Sequence, residues 1–318
     1  MTLKIAQLAI PRGTRLICVS DIHGELDLFK RLLDEVGFCD DDMLILLGDI
    51  FLKGSQCHDC LKYIMEMSKK PNVHVVRGNC DWGHKDYISA AEQAWLDSLP
   101  LIIESEDFVF VHGGLKPGAL SEQNVEYCIS KYAFMEDAAK FDKWVMTGHW
   151  PTVNYCHEVP CNNPIINEEK RVIAIDGGNV VHCSGQLNAF IVKDGGFSWQ
   201  YVDKFQVLTV KQAQPGNAGT LNITWTDRFV EIVEDGAEFS HVRHLASGKV
   251  LPVPSNKIWQ DNDGNTCASV LATDHWLSVS EGDTVSIIEV FSDRIFAKKD
   301  GTMGWIWPDA IKEENNEI

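Results

Sequence analysis

The sequence predicts an α/β domain followed by a small all-β domain, and three observations support this. Between Arg15 and Gly78, apolar runs alternate with stretches of helical spacing, which is the βαβαβ pattern of parallel strand pairing. The chain is then strand-rich as far as Val192, and short alternating segments separated by turns follow from Thr220 onward. At 318 residues the chain also exceeds one ordinary hydrophobic core, so two domains are expected.

The elements of the first domain follow from the spacing of apolar residues. Three strands separated by helices are expected to pair in parallel, and the later strands are expected to form a second sheet. Helical spacing is seen after the first and second strands and again up to Leu99. The predicted strands are Leu16–Val19, Met43–Leu47, Val73–Val76, Leu101–Glu104, Phe108–Val111, Trp144–Met146, Val172–Ile175 and Leu187–Val192.

A stretch rich in Gln, Gly, Asn and Ala around residues 205–219 predicts a linker, which places the domains at 1–205 and 220–318. In the second domain, strands are expected at Thr284–Val290, Arg294–Ala297 and Gly304–Trp307, with a hairpin turn at Asp300-Gly301. The segment from Gly304 to Trp307 resembles the Gly-Trp close of bacterial SH3-like domains. A small SH3-like barrel is therefore expected.

Composition and charge limit the classes of function. Lys and Arg number 28 against 46 Asp and Glu, and the net charge of −18 argues against general nucleic-acid binding. The apolar runs are too short to cross a bilayer, so no membrane association is expected. The ten cysteines are spread over a long chain without an export signal, which predicts reduced thiols and a cytoplasmic protein.

Polar side chains that can bind metals follow five of the predicted strands. Because the loops of such a domain leave the carboxyl ends of the strands, these side chains are expected to converge at one sheet edge. Imidazole and carboxylate donors without a thiolate suit Mn, Fe or Zn, and a carboxylate such as Asp49 can bridge two ions. Two such ions would support phosphate ester hydrolysis. The six donors are Asp21, His23, Asp49, Asn79, His112 and His149.

At these positions the chain resembles the calcineurin-like metallophosphoesterase superfamily, and within it the phosphoprotein phosphatases and the symmetrical diadenosine tetraphosphate hydrolases. The resemblance covers about Arg15 to Val192. It implies a four-layer αββα metallophosphoesterase sandwich. It also implies that Asp21 and His23 hold a first metal, that Asn79, His112 and His149 hold a second, and that Asp49 bridges them. The matching blocks are Ser20-Asp-Ile-His-Gly24, Gly48-Asp49 with Gly54, Gly78-Asn79, Val111-His-Gly-Gly-Leu115 and Thr147-Gly-His-Trp-Pro151.

The resemblance implies a dinuclear phosphoesterase acting through metal-bound hydroxide, with two divalent ions, most often Mn. The activity most similar is that of a bacterial serine/threonine protein phosphatase; a phosphodiesterase, a nucleotide hydrolase and a weakly active metal-retaining binding protein are the alternatives. The expected partners are a phosphorylated protein or a small phosphoester. A protein or peptide ligand is expected for the β domain.

The chain departs from the family pattern at the residues that protonate the leaving group and at those that bind the phosphate. The acid–base histidine of the family is Cys80 here, and its carboxylate partner is Leu52. Loss of a general acid weakens catalysis for poor leaving groups. The expected catalytic residues are Asp49, Cys80, Asp81 and His84, and the expected phosphate-binding residues are Asn79, Lys53 and Lys131, the two lysines standing where the family has arginines.

Overall fold

Residues 2–82 and 87–311 are described by a computed structural model of the chain. They divide into two units. Unit 1 comprises Met1–Thr152, Asn163–Val181 and Gly185–Asp203. Unit 2 comprises Val153–Asn162, His182–Ser184 and Lys204–Ile318.

Unit 1 alternates strands and helices in its first half and is strand-rich in its second half, as the sequence predicts. The elements are β1 (Ile5–Gln7), β2 (Leu16–Val19), α1 (Leu26–Glu35), β3 (Met43–Leu46), α2 (Cys57–Met67), β4 (Val73–Val75), α3 (Ala90–Ser98), β5 (Ile102–Glu104), β6 (Phe108–Val111), α4 (Val125–Ser130), α5 (Phe134–Asp137), β7 (Trp144–Thr147), β8 (Ile165–Asn167), β9 (Val172–Ala174), β10 (Leu187–Lys193) and β11 (Gly196–Val202).

The strands of unit 1 form two mixed sheets. One has the order β11-β10-β2-β3-β4, with β2, β3 and β4 parallel, and the other has the order β1-β5-β6-β7-β9-β8. Ile17 and Leu44 face the cluster formed with α1 and α2, whereas Cys18 and Ile45 pack with Phe110 of the other sheet. Both faces of β2 and β3 are therefore buried, which explains why they are continuous apolar runs. The predicted α/β fold is confirmed.

One strand lies in a different sheet from the one expected. The sequence predicts that Leu187–Val192 belongs to the second sheet, but β10 pairs antiparallel with β2 and forms a hairpin with β11. Ala189 packs with the helices and Phe190 packs between the sheets. A strand that is apolar on both sides can join either sheet, so only its long-range pairing decides its place.

Unit 2 is built from β-strands with short 3-10 turns in its described part. They form sheets of four, three and two strands with the orders β12-β18-β19-β20, β13-β14-β15 and β16-β17, so an SH3-like barrel stays a prediction. The strands are β12 (Gln206–Thr209), β13 (Val230–Glu234), β14 (Phe239–His244), β15 (Val250–Pro254), β16 (Ile258–Gln260), β17 (Thr266–Ala268), β18 (Thr284–Val290), β19 (Ile295–Lys299) and β20 (Thr302–Ile306).

The hairpin between β19 and β20 is confirmed. Its two turn residues, Asp300 and Gly301, have φ angles of 49° and 78°, as a type I′ turn requires. The segment predicted as a linker is instead part of the unit: β12 lies within it and pairs with β18, and the buried Gln214 pairs with Val279. Polar composition resembles a linker, yet here the backbone hydrogen bonds are made within a sheet.

No helix among residues 2–82 and 87–311 has the length and apolar character needed to cross a membrane.

Arg15 joins the start of β2 to the end of α1. Its guanidinium donates to both carboxylate oxygens of Asp42, at 2.8 and 2.6 Å. It also donates to the carbonyl oxygens of Val36 and Gly37, at 2.9 and 2.8 Å. The hydrogen bonds from Arg15 hold the pKa of the Asp42 carboxyl below its ordinary value.

Arg15→Leu is expected to lower the free energy of unfolding by about 2 kcal/mol at pH 7, because the Asp42 carboxylate loses its charged donor. Since the pKa of Asp42 is lower in the folded state, the contribution is present above pH of about 4 and is lost as the pH falls further. Urea unfolding at pH 7 and pH 3.5 measures both effects. Arg12→Leu, at an exposed position, is the control and should change stability by less than about 0.5 kcal/mol. An equal loss at both pH values would contradict the ion-pair account.

Candidate metal centre

The six predicted donors lie on loops at the carboxyl ends of five strands. Asp21 and His23 follow β2, and Asp49 follows β3. These strands are parallel neighbours, so their loops emerge side by side. Asn79 follows β4, while His112 and His149 follow β6 and β7 of the other sheet. The donors lie close together, but they come from both sheets, whereas the sequence predicted a single sheet edge.

Asp49 lies between the imidazoles of two histidines. One of its oxygens is 3.7 Å from Nε2 of His23, and the other is 3.3 Å from Nε2 of His112. Oδ1 of Asp21 lies 3.6 Å from the same His23 nitrogen. Metal-ligating atoms of Asp21, Asp49 and His112 all lie within 4.8 Å of one another, as do those of His23, Asp49 and Cys80. Asp49 is shared by both groups.

A second group of polar side chains surrounds Asn79. The end of its side-chain amide lies 2.8 Å from Nδ1 of His149 and 3.1 Å from Nε2 of His112. Nδ1 of His112 lies 2.6 Å from the Leu47 carbonyl oxygen and donates to it, so Nε2 is the nitrogen that would bind a metal ion. The Asn79 amide can turn its NH₂ group or its oxygen toward the two rings, and its oxygen is the atom that would hold a metal ion together with the ring nitrogens. The donor set therefore fits a metal ion.

The electrostatics of the centre also favour a cation. Burial by itself would lower the pKa of His112, but the charges of Asp49 and Asp21 raise it to about 10. Burial would raise the pKa of Asp49, but the two neighbouring imidazoles hold it well below its ordinary range. The Asp49 carboxylate thus stays ionised in a buried site and creates a negative potential there, which a divalent cation would neutralise.

The backbone is strained at the donors. Asp21, His23, Asp49 and His149 have φ angles of 56°, 51°, 52° and 65°, in the left-handed region that residues with a Cβ rarely adopt. Such strain costs of order 1–3 kcal/mol per residue and persists only where the surrounding structure imposes it. Its concentration on four of the six donors marks this as a functional site.

Two glycines allow the loops to approach each other. A Cβ on Gly78 would lie 2.2 Å from Oδ1 of Asp49, and a Cβ on Gly148 would lie 1.7 Å from the Ser20 hydroxyl oxygen. No side chain fits at either position without moving a donor loop. The glycines before Asn79 and His149 are therefore required by packing against the donors.

Asp81 accepts four backbone hydrogen bonds. One oxygen accepts from the amides of Asp49 and Gly78, both at 2.9 Å, and the other accepts from Ile50 and Phe51, at 3.0 and 3.2 Å. Burial and the charge of Asp49 raise the pKa of Asp81 to about 6. Both oxygens face the protein backbone, so this geometry makes Asp81 a positioning residue, unlike the catalytic role expected from the sequence.

Three residues that replace the family's acid–base histidine, its carboxylate partner and a phosphate-binding arginine lie beside the six donors. The Cys80 amide donates to Asp49 at 2.7 Å, and burial raises the pKa of its thiol well above the ordinary value. Leu52 and Lys53 both have left-handed φ angles, 70° and 73°. Nζ of Lys53 lies 3.3 Å from Nε2 of His23, so its positive charge borders the centre.

Two further predicted residues are placed differently. The Lys131 ammonium pairs with Asp137, and in the described part of the chain it makes no contact with the six donors. Its neighbour Tyr132 stacks on the ring of His149, with centroids 5.4 Å apart and an angle of 12°. His84 lies outside the described residues.

Three further residues pack around the candidate centre and were not predicted from the sequence. Asp176 is buried, and burial together with the charge of Asp21 raises the pKa of its carboxyl well above the ordinary value. Asn179 donates to the Ile22 carbonyl at 2.9 Å and so fixes the loop that carries His23. Arg77 donates to the Asp81 carbonyl and to Asp97. Asp176 follows β9 just as the donors follow their strands, and that position was the available signal.

Known proteins resemble this chain over the same region. Residues 14–175 match the family model described as calcineurin-like phosphoesterase. Symmetrical bis(5'-nucleosyl)-tetraphosphatases from Vibrio campbellii and Glaesserella parasuis are 27% and 33% identical over 124 and 122 residues. Each match covers 31% of this chain and 44% of the relative, so the chain spans less than half the length of the curated relatives it matches.

A solved structure shares the fold of this region. It is described as that of a diadenosine tetraphosphatase and is 20% identical, with a TM-score of 0.50. The match covers 64% of this chain and 99% of the other. At this identity the likeness supports the fold.

Asp49→Asn is expected to weaken binding of Mn²⁺ by more than about 100-fold and to abolish hydrolysis, because loss of a shared carboxylate exceeds the about 10–100-fold effect of an outer ligand. The fold should persist, since the amide oxygen can still accept from Cys80. Metal content after dialysis, turnover and circular dichroism measure the three effects. Asp59→Asn, exposed on α2, is the control. Two retained ions with near wild-type turnover would exclude a bridging Asp49.

Asp81→Asn is expected to lower the free energy of unfolding by about 2–4 kcal/mol, because either amide orientation leaves two buried N–H donors facing an NH₂ group. Affinity for Mn²⁺ should fall about 10–100-fold, since the loop carrying Asp49 loses its anchor. Thermal unfolding without metal and titration with Mn²⁺ separate the two effects, with Asp59→Asn again as the control. Unchanged stability would show that the four bonds do not hold the loops.

Proposed function

The chain belongs to the calcineurin-like phosphoesterase family, and on that premise we propose that it hydrolyses phosphoanhydrides and activated phosphate esters, with nucleoside polyphosphates as the substrate class. Its family makes it a hydrolase of phosphate esters. The observation that carries the narrower proposal is the chemistry beside Asp49, where the described residues provide many metal donors but a poor proton donor.

Two divalent ions fit the donors in the arrangement that the resemblance implies. Asp21 and His23 would hold one ion, and Asn79, His112 and His149 would hold the other, with Asp49 between them. When bound, such ions activate the attacking water and neutralise charge on the phosphoryl group. Oxygen and imidazole donors suit Mn²⁺, and Fe or Zn is the alternative.

The protonation of the leaving group is the weak step. Cys80 is buried, and its thiol pKa is raised, while Leu52 supplies no carboxylate to orient an acid. Both oxygens of Asp81 accept from the backbone. Loss of a general acid costs about 10²–10⁴ in rate. The alkoxide released from phosphoserine needs that proton, whereas a released phosphate group has a pKa of about 6 and leaves as an anion.

The positive charge at the edge of the centre fits a polyphosphate. Lys53 lies beside His23, where its ammonium would meet a phosphoryl oxygen or the next phosphate of a chain. Lysine acts as a point charge and does not impose the bidentate geometry of arginine. The neighbouring Arg77 is buried and donates to Asp81 and Asp97, so it is held away from this role.

The names of the relatives agree with this substrate class, since they are tetraphosphatases of dinucleosides. The serine/threonine phosphatase activity that the resemblance implied stays a prediction, because it requires an acid that the described residues beside Asp49 do not supply. A metal-retaining binding protein is disfavoured, because the six donors are assembled together. A phosphorylated protein partner has no support in the site.

With Mn²⁺ present, diadenosine tetraphosphate and p-nitrophenyl phosphate are expected to be hydrolysed at least about 100-fold faster than a phosphoserine peptide, because only the peptide needs a proton at its leaving oxygen. Turnover at saturating concentrations of each substrate measures the ratios. The Asp49→Asn protein supplies the background rate. Equal turnover on all three substrates would show that another acid operates, and His84 would then be the first residue to replace.

Cys80→His is expected to restore only part of the rate on phosphoserine peptide, because Leu52 cannot orient the imidazole. Leu52→Asp alone should do little, although Asp adopts the left-handed φ of that position more readily than Leu. The reduction in activation free energy in the double variant should exceed the sum of the reductions in the two single variants. Turnover of the four proteins on phosphoserine peptide gives the coupling, and p-nitrophenyl phosphate, which needs no acid, is the control substrate. Additive effects would contradict the claim that residues 80 and 52 act together as an acid and its orienting partner.

A further inference from the structure

An exposed aromatic ring borders the candidate metal centre. Tyr132 is 63% exposed, yet its phenol ring lies parallel to the His149 imidazole, with centroids 5.4 Å apart and 12° between the planes. The buried Trp150 indole lies 5.1 Å from the same ring, at an angle of 51°. Both neighbours are consecutive residues of one loop, so they cover one side of the phenol ring and leave the opposite face open to solvent.

The segment that carries Tyr132 is fixed against a donor loop. It follows α4, whose end packs on the glycine after a donor histidine: a Cβ on Gly113 would lie 2.7 Å from the Ser130 amide nitrogen and 2.8 Å from that of Lys131. On the other side of the tyrosine, Ala133 has a left-handed φ of 48°. An aromatic ring that is held in place before binding loses little conformational entropy when a ligand stacks on it.

Folding of unit 1 does not account for an aromatic ring at position 132. A mostly exposed side chain contributes little to a hydrophobic core. Among residues 2–82 and 87–311, the Tyr132 hydroxyl group has no hydrogen-bond partner. A flat, solvent-exposed face beside metal donors is suited instead to stacking on an aromatic ligand.

The distance between the ring and the donors indicates the class of that ligand. A planar ring stacked about 3.5–4 Å beyond the phenol would lie about 9 Å from the His149 imidazole. In a nucleotide, the ribose and one or two phosphate groups bridge a distance of this size. Stacking on an aromatic side chain accepts any nucleobase, because every base has a π face. A nucleoside polyphosphate can therefore contact the donors and the ring together.

We propose that Tyr132 is the base-binding residue of the candidate centre, an inference that rests on the substrate class proposed above. One nucleobase of a nucleoside polyphosphate stacks on the open face of the phenol ring while the phosphates reach the metal donors. Recognition by stacking needs no hydrogen bond to the edge of the base, so the site accepts different bases. Purines, which have the larger π face, bind more tightly than pyrimidines.

The test compares ligands that differ only in the nucleoside, using the full chain and excess Mn²⁺. Adenosine is attached to a bisphosphonate in α,β-methylene ADP, and methylenebisphosphonate is the same group without adenosine. Calorimetric titration should show at least about 10-fold tighter binding of the adenosine compound, as stacking on one aromatic side chain provides. The uridine compound, α,β-methylene UDP, should bind with an affinity between these two.

Substitutions then locate the source of this preference. Tyr132→Ala should reduce the preference for the adenosine compound to about 2-fold or less, whereas Tyr132→Phe, which keeps the ring, should retain it. The ratio of the two affinities cancels any effect of a substitution on the metal ions themselves. Trp199→Ala is the matched control and should keep the wild-type preference, because Trp199 is 39% exposed on the edge strand β11. Circular dichroism of each variant checks folding.

Four results would overturn the proposal. One is equal affinity of the wild-type protein for the adenosine compound and methylenebisphosphonate. Another is an unchanged preference in Tyr132→Ala with both affinities lowered alike, which would show that the ring only supports His149. A loss in Tyr132→Phe as large as in Tyr132→Ala would assign the preference to the hydroxyl group. A loss in Trp82→Ala but not in Tyr132→Ala would assign the base to the exposed indole that follows Asp81.

Failure of the proposed function gives a different result from failure of this inference. It would appear as no turnover of diadenosine tetraphosphate by the wild-type protein with Mn²⁺, whereas the binding preference is measured without turnover. A preference that depends on Tyr132 in a protein without this turnover would support the base-binding role and remove the hydrolytic one.

Discussion

The candidate metal centre depends on one buried carboxylate whose two oxygens both accept from the backbone. Asp81 accepts from the amides of Asp49, Ile50 and Phe51 after β3 and from Gly78 after β4. A single anion thereby ties together the loop that carries the shared carboxylate and the loop that carries Asn79. The N–H groups favour the ionised form of Asp81 even though it is buried, and Arg77 holds the Asp81 carbonyl from the other side.

The strain at the donors is offset by the layers beneath them. β2 and β3 are buried on both faces, against the helices and against the second sheet, so their ends are fixed in place. Such ends can hold Asp21 and Asp49 in left-handed conformations that an isolated loop would relax. Gly78 and Gly148 let the loops approach until no further side chain fits. Rigid strands and close loops together give the donors their short separations.

The same candidate centre is rich in negative charge, and Cys80 and Leu52 replace the acid and its partner that the family resemblance implies. The ionised Asp49 beside His23 and His112 favours a bound cation, and burial raises the pKa of the Cys80 thiol. In the function proposed above, this combination suits substrates whose leaving group is already a stable anion. Chemistry of this kind follows from the residues around Asp49 and not from the fold, which the family shares across different substrates.

The sequence by itself predicted the α/β class, seven of the nine strands up to β9 and the six candidate donors, because period, strand-end position and residue type are local properties; β1 and β8 were not predicted. Tertiary structure decided the rest. The sequence of β10 is compatible with either sheet, and only the structure shows that it pairs with β2. The sequence of the polar stretch that contains β12 is compatible with a linker, and only the structure shows that β12 pairs with β18. The role of Asp81 was equally hidden, because whether a carboxylate gives a proton or holds a loop depends on which backbone amides surround it, and these come from residues 3 to 32 positions away.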